Sequence, residues 1–419
     1  MSEPTTTDKP FGIPKQLVWE AYQRVRANQG APGVDGVSLA EFESNLRGNL
    51  YKIWNRMSSG TYFPPPVRAV DIPKAGGGVR TLGVPTVADR VAQTVVALRL
   101  EERVEKIFHP DSYGYRPKRS ALDAVATCRR RCWQTDWVVD LDISKFFDSV
   151  DHDLMIRAVM ANTDDPWVVL YVRRWLRAPL RHADGTLGQR YRGTPQGSAV
   201  SPVLANLFMH YAFDLWLARE FPTVRFERYC DDAVVHCGSE RQALAVKAAL
   251  ADRLAHVGLT LHPDKTKIVY CRDGKRRGAH PRTSFTFLGY TFRARTATDR
   301  QGRRFTSFLP AVSPLALKAM GLEVRRWRLH LRTGLDLNGL AQQINPIVRG
   351  WMNYYGRFYR SGMYPLLMRI NGYLVRWARK KYKRLLGFKK RYAWWYGIAD
   401  REPRLFAHWD WTRGFIWLG

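Results

Sequence analysis

Five aspartates stand where strands are expected to end. Asp140, Asp142 and Asp148 fall in WVVDLDISKFFDSV (137–150), and Asp231 and Asp232 sit side by side in FERYCDDAVVHC (226–237). Phe226, Tyr229, Val234 and Val235 favour a strand, whereas aspartate is depleted in strands. Asp140 and Asp142 are two apart, so a strand carries both on one face and Leu141 and Ile143 on the other. A carboxylate at the end of a buried strand is costly unless it is paired or holds a metal. If Asp142 and the 231/232 turn meet at adjacent strand ends, three carboxylates converge. Such a cluster binds hard divalent cations through oxygen, as Mg²⁺ prefers. Two ions roughly 3.5–4 Å apart would clamp the attacking and leaving oxygens of a phosphoryl transfer. For any one aspartate taken alone, capping a turn or a helix is the simpler reading.

The elements that must position these residues alternate irregularly. Residues 14–27 and 39–57 are expected to be helices, joined by the turn-rich QGAPGVDG (29–36). VRAVDIPKAGGGVRTLGVP (67–85) places two strand-like runs around Gly76, Gly77 and Gly78, the pattern of a hairpin with a flexible tip. Helical periods follow over 87–107 and 119–133, then a buried strand from Trp137 and a helical run from Asp151 to Leu176. GTPQGSAVSPVLANLFMHYAFDLWL is a Gly/Pro loop feeding a helix, with Ser201 as N-cap and Pro202 at the first helical position. The aspartate-bearing hairpin comes next, then a helix over 240–257 and FTFLGYTFR (285–293) as a strand. CRDGKRRGAHPR (271–282) is a basic loop, and from Ser313 to about Tyr392 the pattern is helical throughout. Without the regular unit of a doubly wound fold, the class is α+β, followed by an all-α domain.

Composition narrows the partners. The 419 residues are 45% hydrophobic, enough for two or three packed domains. Lys plus Arg number 67 against 37 Asp plus Glu, a net charge of +30 that calls for a polyanion or a membrane. No apolar run approaches the roughly 18 residues of a spanning helix, which disfavours the membrane. The amino-terminal MSEPTTTDKPFGIPK has no apolar signal core, and the five cysteines show no paired CxxC spacing. A reduced, cytoplasmic setting without structural zinc is expected. From residue 310 onward there are 21 Lys/Arg, 5 Asp/Glu and eight of the fifteen tryptophans. Basic residues interleaved with aromatics suit nucleic acid, phosphates meeting charges and bases meeting rings. An amphipathic helical domain with aromatic core and solvated charges fits the same composition.

Several stretches resemble reverse transcriptases, in that family's order. Tyr229-Cys230-Asp231-Asp232 is similar to its Tyr-x-Asp-Asp hairpin, and Asp142 to Asp148 to its first palm motif. Pro195-Gln196-Gly197 with Ser201-Pro202 resembles the loop and helix packed on template and nucleotide. Gly258-Leu259 with His262-Pro263-Asp264-Lys265 resembles the next palm motif, and Phe287-Leu288-Gly289-Tyr290 the primer grip. The closer resemblance is to bacterial group II intron reverse transcriptases, or maturases. Arg26 to Gly36 looks like their amino-terminal extension, Ile72-Pro73-Lys74 and Arg80 to Pro85 like their fingertip, and Gly114-Tyr115-Arg116-Pro117 like a fingers motif. Asn345-Pro346-Ile347-Val348-Arg349-Gly350-Trp351 with Asn353-Tyr354-Tyr355 looks like the maturase thumb. Cys230 replaces the alanine usual in the hairpin; a small residue is kept, so activity is expected to survive.

The resemblance implies a right-hand polymerase: an extension over 1–60, fingers and palm over 61–309, a helical thumb over 310–395 and a basic-aromatic tail over 396–419. It implies that Asp142, Asp231 and Asp232, with the backbone of Ile143, hold two Mg²⁺ ions, Mn²⁺ being a substitute. It places Lys74, Arg80, Gln196 and Lys265 on the nucleotide and Phe147 against a 2′-hydroxyl. Tyr229 and Gly289 would meet primer or template, and Arg349, Trp351, Tyr354, Tyr355, Lys380, Lys381, Lys389 and Lys390 would hold duplex or intron RNA. Each has a plainer reading: solvated hairpin for Lys74 and Arg80, core for Phe147 and the thumb aromatics, turn chemistry for Gln196. Implied partners are a group II intron RNA, an RNA template with DNA primer, target DNA and deoxynucleoside triphosphates, in a bacterial cytoplasmic ribonucleoprotein near the nucleoid. The last cysteine is Cys271, so an HNH nuclease domain is not expected. Rival readings are a domesticated relative serving defence or repair, a polymerase-inactive splicing factor, and an RNA-directed RNA polymerase. The last should lack a bulky ring at Phe147.

Overall fold

The computed structural model describes residues 9–73, 78–299 and 301–412. The chain forms two compact units, one of residues 1–124 and 139–267, the other of residues 125–138 and 268–419. Among the described residues no helix is long and apolar enough to cross a membrane.

The first unit opens with the helix Lys15–Asn28, whose Val18, Ala21, Tyr22 and Val25 make its buried stripe. The run expected to be one helix over 39–57 is two, Leu39–Ser44 and Leu46–Ser58. Asn45 breaks it at φ −128°, while Ser38 and Glu41 close a capping box at its start. Strands β1 (Val67–Pro73) and β2 (Val79–Val84) pair antiparallel with Ile72 opposite Arg80, the expected hairpin. Next comes Val87–Val104, buried nearly all round by Val91, Ala92, Val95, Val96 and Leu100. β3 (Trp137–Leu141) carries Val138, Val139 and Leu141 inward. The helical run from Asp151 splits into His152–Met160 and Pro166–Arg177. Pro166 starts the second piece because a proline cannot continue the first. Short strands β4 (Leu180–Arg181) and β5 (Leu187–Gly188) extend the fingertip hairpin into a sheet of order β2-β1-β4-β5.

The helix after the Gly/Pro loop spans Ser201–Met209 and passes through a π-helical turn, His210–Asp214, into Leu215–Glu220. Ser201 is the first helical residue rather than the cap. Its hydroxyl bonds back to the Pro195 carbonyl (2.9 Å) and to Thr194 Oγ1 (2.6 Å), so it ties the loop down instead of satisfying the helix end. β6 (Arg225–Tyr229) and β7 (Asp232–Cys237) pair antiparallel, with β3 beside β7. The helix Glu240–His256 follows, capped by Ser239, and the chain leaves the unit at the start of β8 (Lys267–Tyr270).

In the second unit, 285–293 is not one strand but parts of two, β9 (Ser284–Phe287) and β10 (Tyr290–Thr298). Leu288 and Gly289, at φ 50° and 79°, make the two-residue turn between them, a pairing that suits hairpin twist. β11 (Arg304–Val312) completes the sheet. Helices Pro314–Arg326, Leu337–Tyr355, Tyr364–Lys381 and Phe388–Arg401 then pack around Leu340, Ile344, Val348, Leu367, Ile370, Leu374 and Trp377. The tail closes onto this core through Phe406 and Trp409, with Asn371 accepting from His408 and Trp409.

Candidate active site

Asp142 directly follows β3, and the strand pairing there is completed by a distant segment. His262 N donates to the Asp142 carbonyl (2.8 Å), Ser144 N to the Thr260 carbonyl (2.8 Å), and Ile143 bridges Leu261. The Thr266 hydroxyl accepts from Asp142 N at 3.3 Å. Asp142 is therefore held at both backbone ends, with its side chain about a third exposed. Asp231 and Asp232 come from the β6–β7 hairpin, whose turn is Cys230-Asp231. Cys230 is buried and left-handed at φ 60°, a conformation that small residues accept best. Burial also drives its thiol far up, so it stays protonated.

The carboxylates feel one another. Loss of surrounding water pushes Asp232 up to about 7, with the charges of Asp231 and Asp142 adding to it, even though its side chain still opens to solvent. The same desolvation, then Asp232, lifts Asp140 to about 7, and Asp231 is raised as well, first by burial. Two cations work against this. Arg80 lowers Asp231, and the Lys265 ammonium lies 3.5 Å from Asp142 Oδ2 and lowers Asp232. The oxygens of Asp142, Asp231 and Asp232 do not all approach within 4.8 Å of one another. Asp231 and Asp232, both raised with Asp142 beside them, are hard oxygen donors whose crowded charge a divalent cation would relieve.

Around them stand several of the predicted nucleotide residues. Arg80 Nε donates to Gln196 Oε1, joining fingertip to loop. Gly83 N donates to the Gln196 carbonyl (2.7 Å), and Gly197 must be glycine, since it is left-handed at φ 108° and a Cβ there would sit 2.7 Å from Gly83 O. Phe147 is half-buried beside Phe146 (ring centroids 5.2 Å), and its carbonyl accepts from Thr194 N (2.7 Å). Tyr229 packs near Tyr115, with centroids 5.9 Å apart. Lys74 lies outside the described residues.

The second unit's candidates divide. Arg349, Lys380, Lys389 and Lys390 are exposed. Lys381 instead donates to the Leu335 carbonyl at 2.6 Å, and Arg391, read as part of the second basic cluster, is buried. Trp351 stacks on Trp327 (5.5 Å, 7°), Tyr354 Oη donates to the Leu288 carbonyl (2.8 Å), and Tyr355 covers Gly289 and Tyr290.

Sequence reasoning passed over three groups that surround the site. Tyr115 is an exposed ring whose hydroxyl is raised by burial and by Cys230, Tyr229 and Asp231. Asp89 and Gln93 sit behind the Gln196 loop, and Arg228 sits inside the hairpin. Tyr115 belongs to the Gly114-Tyr115-Arg116-Pro117 motif, whereas Asp89, Gln93 and Arg228 carry no local signal, because each acts through partners distant in sequence.

Comparison with known proteins defines the class. Residues 72–292 match the family model for reverse transcriptase (RNA-dependent DNA polymerase), and residues 317–395 match the group II intron maturase-specific domain. The chain belongs to the reverse transcriptase family, in its group II intron maturase branch. It is 31% identical over 312 residues to protein YkfC of Escherichia coli, covering 65% of this chain and 78% of that protein. It is 32% identical over 195 residues to the group II intron-encoded protein LtrA of Lactococcus lactis, 46% of this chain and 32% of LtrA. The putative COX1/OXI3 intron 1 protein of Saccharomyces cerevisiae is 26% identical over 344 residues, 69% of this chain and 40% of that protein. The chain thus spans a third to two fifths of the latter two. The family is divalent-metal dependent and works on RNA and DNA, and the oxygen donors of the site suit such a metal.

Proposed function

We propose that this chain extends a DNA primer on an RNA template. The primer 3′-hydroxyl releases its proton to water as its oxygen forms a bond to the α-phosphorus of a deoxynucleoside triphosphate, the bond to the β-phosphate bridging oxygen breaks, and pyrophosphate leaves. Asp142, Asp231 and Asp232, with the Ile143 carbonyl, would hold two Mg²⁺ ions, or Mn²⁺ in their place. Those ions, when bound, stabilise the charge on the attacking and leaving oxygens. Lys265 would give a proton to the leaving pyrophosphate. Arg80 and Lys74 would meet the triphosphate, Arg80 with its planar fork. Gln196, fixed through its own carbonyl and side chain, would meet the nucleotide, and Phe147 would refuse a 2′-hydroxyl. Tyr229, Gly289 and the exposed cations Arg349, Lys380, Lys389 and Lys390 would meet nucleic acid.

The observation that carries this reading is the shared electrostatic neighbourhood of Asp142 and the Asp231-Asp232 turn, with Arg80 and Lys265 beside it. The test is primer extension on an RNA template with Mg²⁺, comparing wild type with Asp231→Ala. Wild type should make cDNA, and the variant should bind RNA and make none. A wild type that binds RNA tightly yet extends nothing across templates and salts would sink the polymerase reading.

The maturase-specific match over 317–395 supports a second role, binding a group II intron RNA to assist its splicing and movement into target DNA, within a bacterial cytoplasmic ribonucleoprotein. On this reading fingers and palm occupy 61–309 and the thumb 310–395. Splicing of an intron flanking the reading frame, with and without the protein at low Mg²⁺, tests it; equal rates in both would leave a polymerase without an intron.

A further inference from the structure

Arg228 is the penultimate residue of β6, one step before the Tyr229-Cys230-Asp231-Asp232 turn, and it is fully buried. A guanidinium brings five N–H donors into the core, and each left unpaired is costly. All five are used. Nε and Nη2 reach the two carboxylate oxygens of Asp214 at 2.7 and 2.6 Å. Nη2 also donates to Ser112 Oγ (2.8 Å) and Nη1 to Asn206 Oδ1 (3.0 Å). The fifth bond runs from Nη1 to the carbonyl of Cys230 at 2.8 Å. That carbonyl belongs to the left-handed residue of the turn, the peptide that leads directly into Asp231.

The partners of Arg228 are themselves built into the same corner. Asn206 donates to the Gly114 carbonyl (2.6 Å), and Gly114 lies so close behind the hairpin that a Cβ would meet Cys230 N. Arg228 N donates to the Asp111 carbonyl and its carbonyl accepts from Tyr113 N (2.9 and 2.8 Å). Asp214 ends the π-helical turn His210–Asp214, a wide turn inside an otherwise α-helical run, and such insertions concentrate at functional sites. A pair kept only for stability is a weak explanation, because apolar side chains of similar volume commonly serve a core as well as a buried ion pair does. The bond to a strained turn carbonyl is what apolar side chains would not supply.

We propose that Arg228 is a positioning residue that holds the Cys230 carbonyl and thereby aims Asp231 and Asp232 for divalent-cation binding. The proposal rests on the reading of those aspartates as metal ligands. Removing a group that orients a ligand costs about ten- to a hundredfold in metal affinity.

The test uses the full chain without nucleic acid, measuring Mn²⁺ binding by electron paramagnetic resonance beside thermal unfolding. Arg228→Lys keeps a cation opposite Asp214 and loses the fork to Cys230, Asn206 and Ser112. It should bind Mn²⁺ about tenfold or more weakly, with the Mg²⁺ needed for half-maximal extension rising in step. Asp214→Asn leaves Arg228 on Cys230 and weakens the ion pair, so it should melt earlier while folded molecules bind Mn²⁺ nearly as wild type does. Arg228→Met with Asp214→Leu removes both buried charges and guards against a single variant that fails to fold. It should fold yet bind Mn²⁺ weakly. Wild-type Mn²⁺ affinity in Arg228→Lys or in the double variant overturns the proposal, as does a loss that merely tracks melting temperature across all three. Asp231→Ala separates the two claims: undiminished Mn²⁺ binding there fails the metal reading itself, whereas lost binding there with intact binding in Arg228→Lys fails the positioning claim alone.

Discussion

At Gly114 there is room for a hydrogen and nothing larger. A Cβ built there lies 2.6 Å from Cys230 N and 3.0 Å from Tyr229 C, backbone atoms that cannot swing aside. Gly114→Ala should therefore push on the aspartate hairpin, costing about 1–3 kcal/mol of stability and reducing primer extension at fixed Mg²⁺. Cys230→Ala leaves the same turn unobstructed and should extend primers as wild type does; urea unfolding and extension assays on both variants check the contrast. Phe147 offers a second residue-scale prediction. Its ring packs edge-on against Phe146, and its carbonyl is bonded to Thr194 N, so backbone and side chain are separately anchored. Phe147→Ala should leave the loop in place and raise the preference for ribonucleotides over deoxynucleotides on the order of 10–100-fold in relative kcat/KM. An unchanged ratio would mean the ring is core and not a gate. Phe147 was marked by its place five residues past Asp142 in the palm motif, whereas the close approach of Gly114 to Cys230 N joins residues far apart in sequence and has no local mark.

At the scale of elements, the helix Val87–Val104 holds the loop that carries Gln196. Gln93 Oε1 accepts from Ser198 Oγ (2.7 Å) and Ala199 N (2.8 Å), and Gln93 Nε2 donates to Asp89 Oδ2 (2.9 Å). Asp89 Oδ1 accepts from Tyr62 Oη and Trp175 Nε1. Complete burial raises Asp89 from 3.8 to about 6, although its three donors pull the other way. The native state thus binds a proton that the unfolded chain has already released. The stabilisation is fully present below about pH 4 and is lost as pH rises through 6, amounting to about 3 kcal/mol. Asp89→Asn carries no such charge, so wild type should lose stability relative to the variant between about pH 4 and 7, measured by denaturant unfolding at each pH. The variant also sets an amide against Gln93 Nε2. If Gln93 flips to satisfy it, the loop loses its acceptor, and the nucleotide KM should rise more than kcat falls while RNA affinity stays level. An equal effect on RNA binding would place the damage elsewhere. Nothing in VADRVAQTVVALRL announces this, since an aspartate in a helix is ordinarily a solvated face and its partners Tyr62 and Trp175 are 27 and 86 residues away. The fingertip and aspartate hairpins were legible because turn chemistry is local; the runs over 39–57 and from Asp151 read as continuous helices, since Asn45 marks no break and the helical period resumes on both sides of Pro166.

For the whole molecule, the excess of 30 positive charges is a statement about partners and not about the fold. Composition alone left the aromatic residues after 310 ambiguous between core and nucleic-acid platform. Many of them turn inward: Trp377, Trp395, Phe406 and Trp409 are buried, and Trp351 stacks on Trp327. That periodicity could not assign them follows from the density of cations between them, which makes a buried face and a bound face read alike. The cations sort by exposure instead. Lys380, Lys389 and Lys390 are exposed, whereas Lys381 is spent on the Leu335 carbonyl and Arg391 is buried. Each lysine that neutralises a phosphate releases condensed counterions, so the logarithm of RNA affinity falls against the logarithm of salt by about 0.7 for each contact on single strands and about 0.9 on duplex. Replacing Lys380, Lys389 and Lys390 together with glutamine should flatten that slope by about 2–3 and weaken unrelated RNA sequences equally, since phosphate contacts carry no sequence information. Lys381→Gln should leave the slope alone and lower the melting temperature. Filter binding across salt concentrations reads both, and a triple variant with the wild-type slope would mean that these exposed lysines face water.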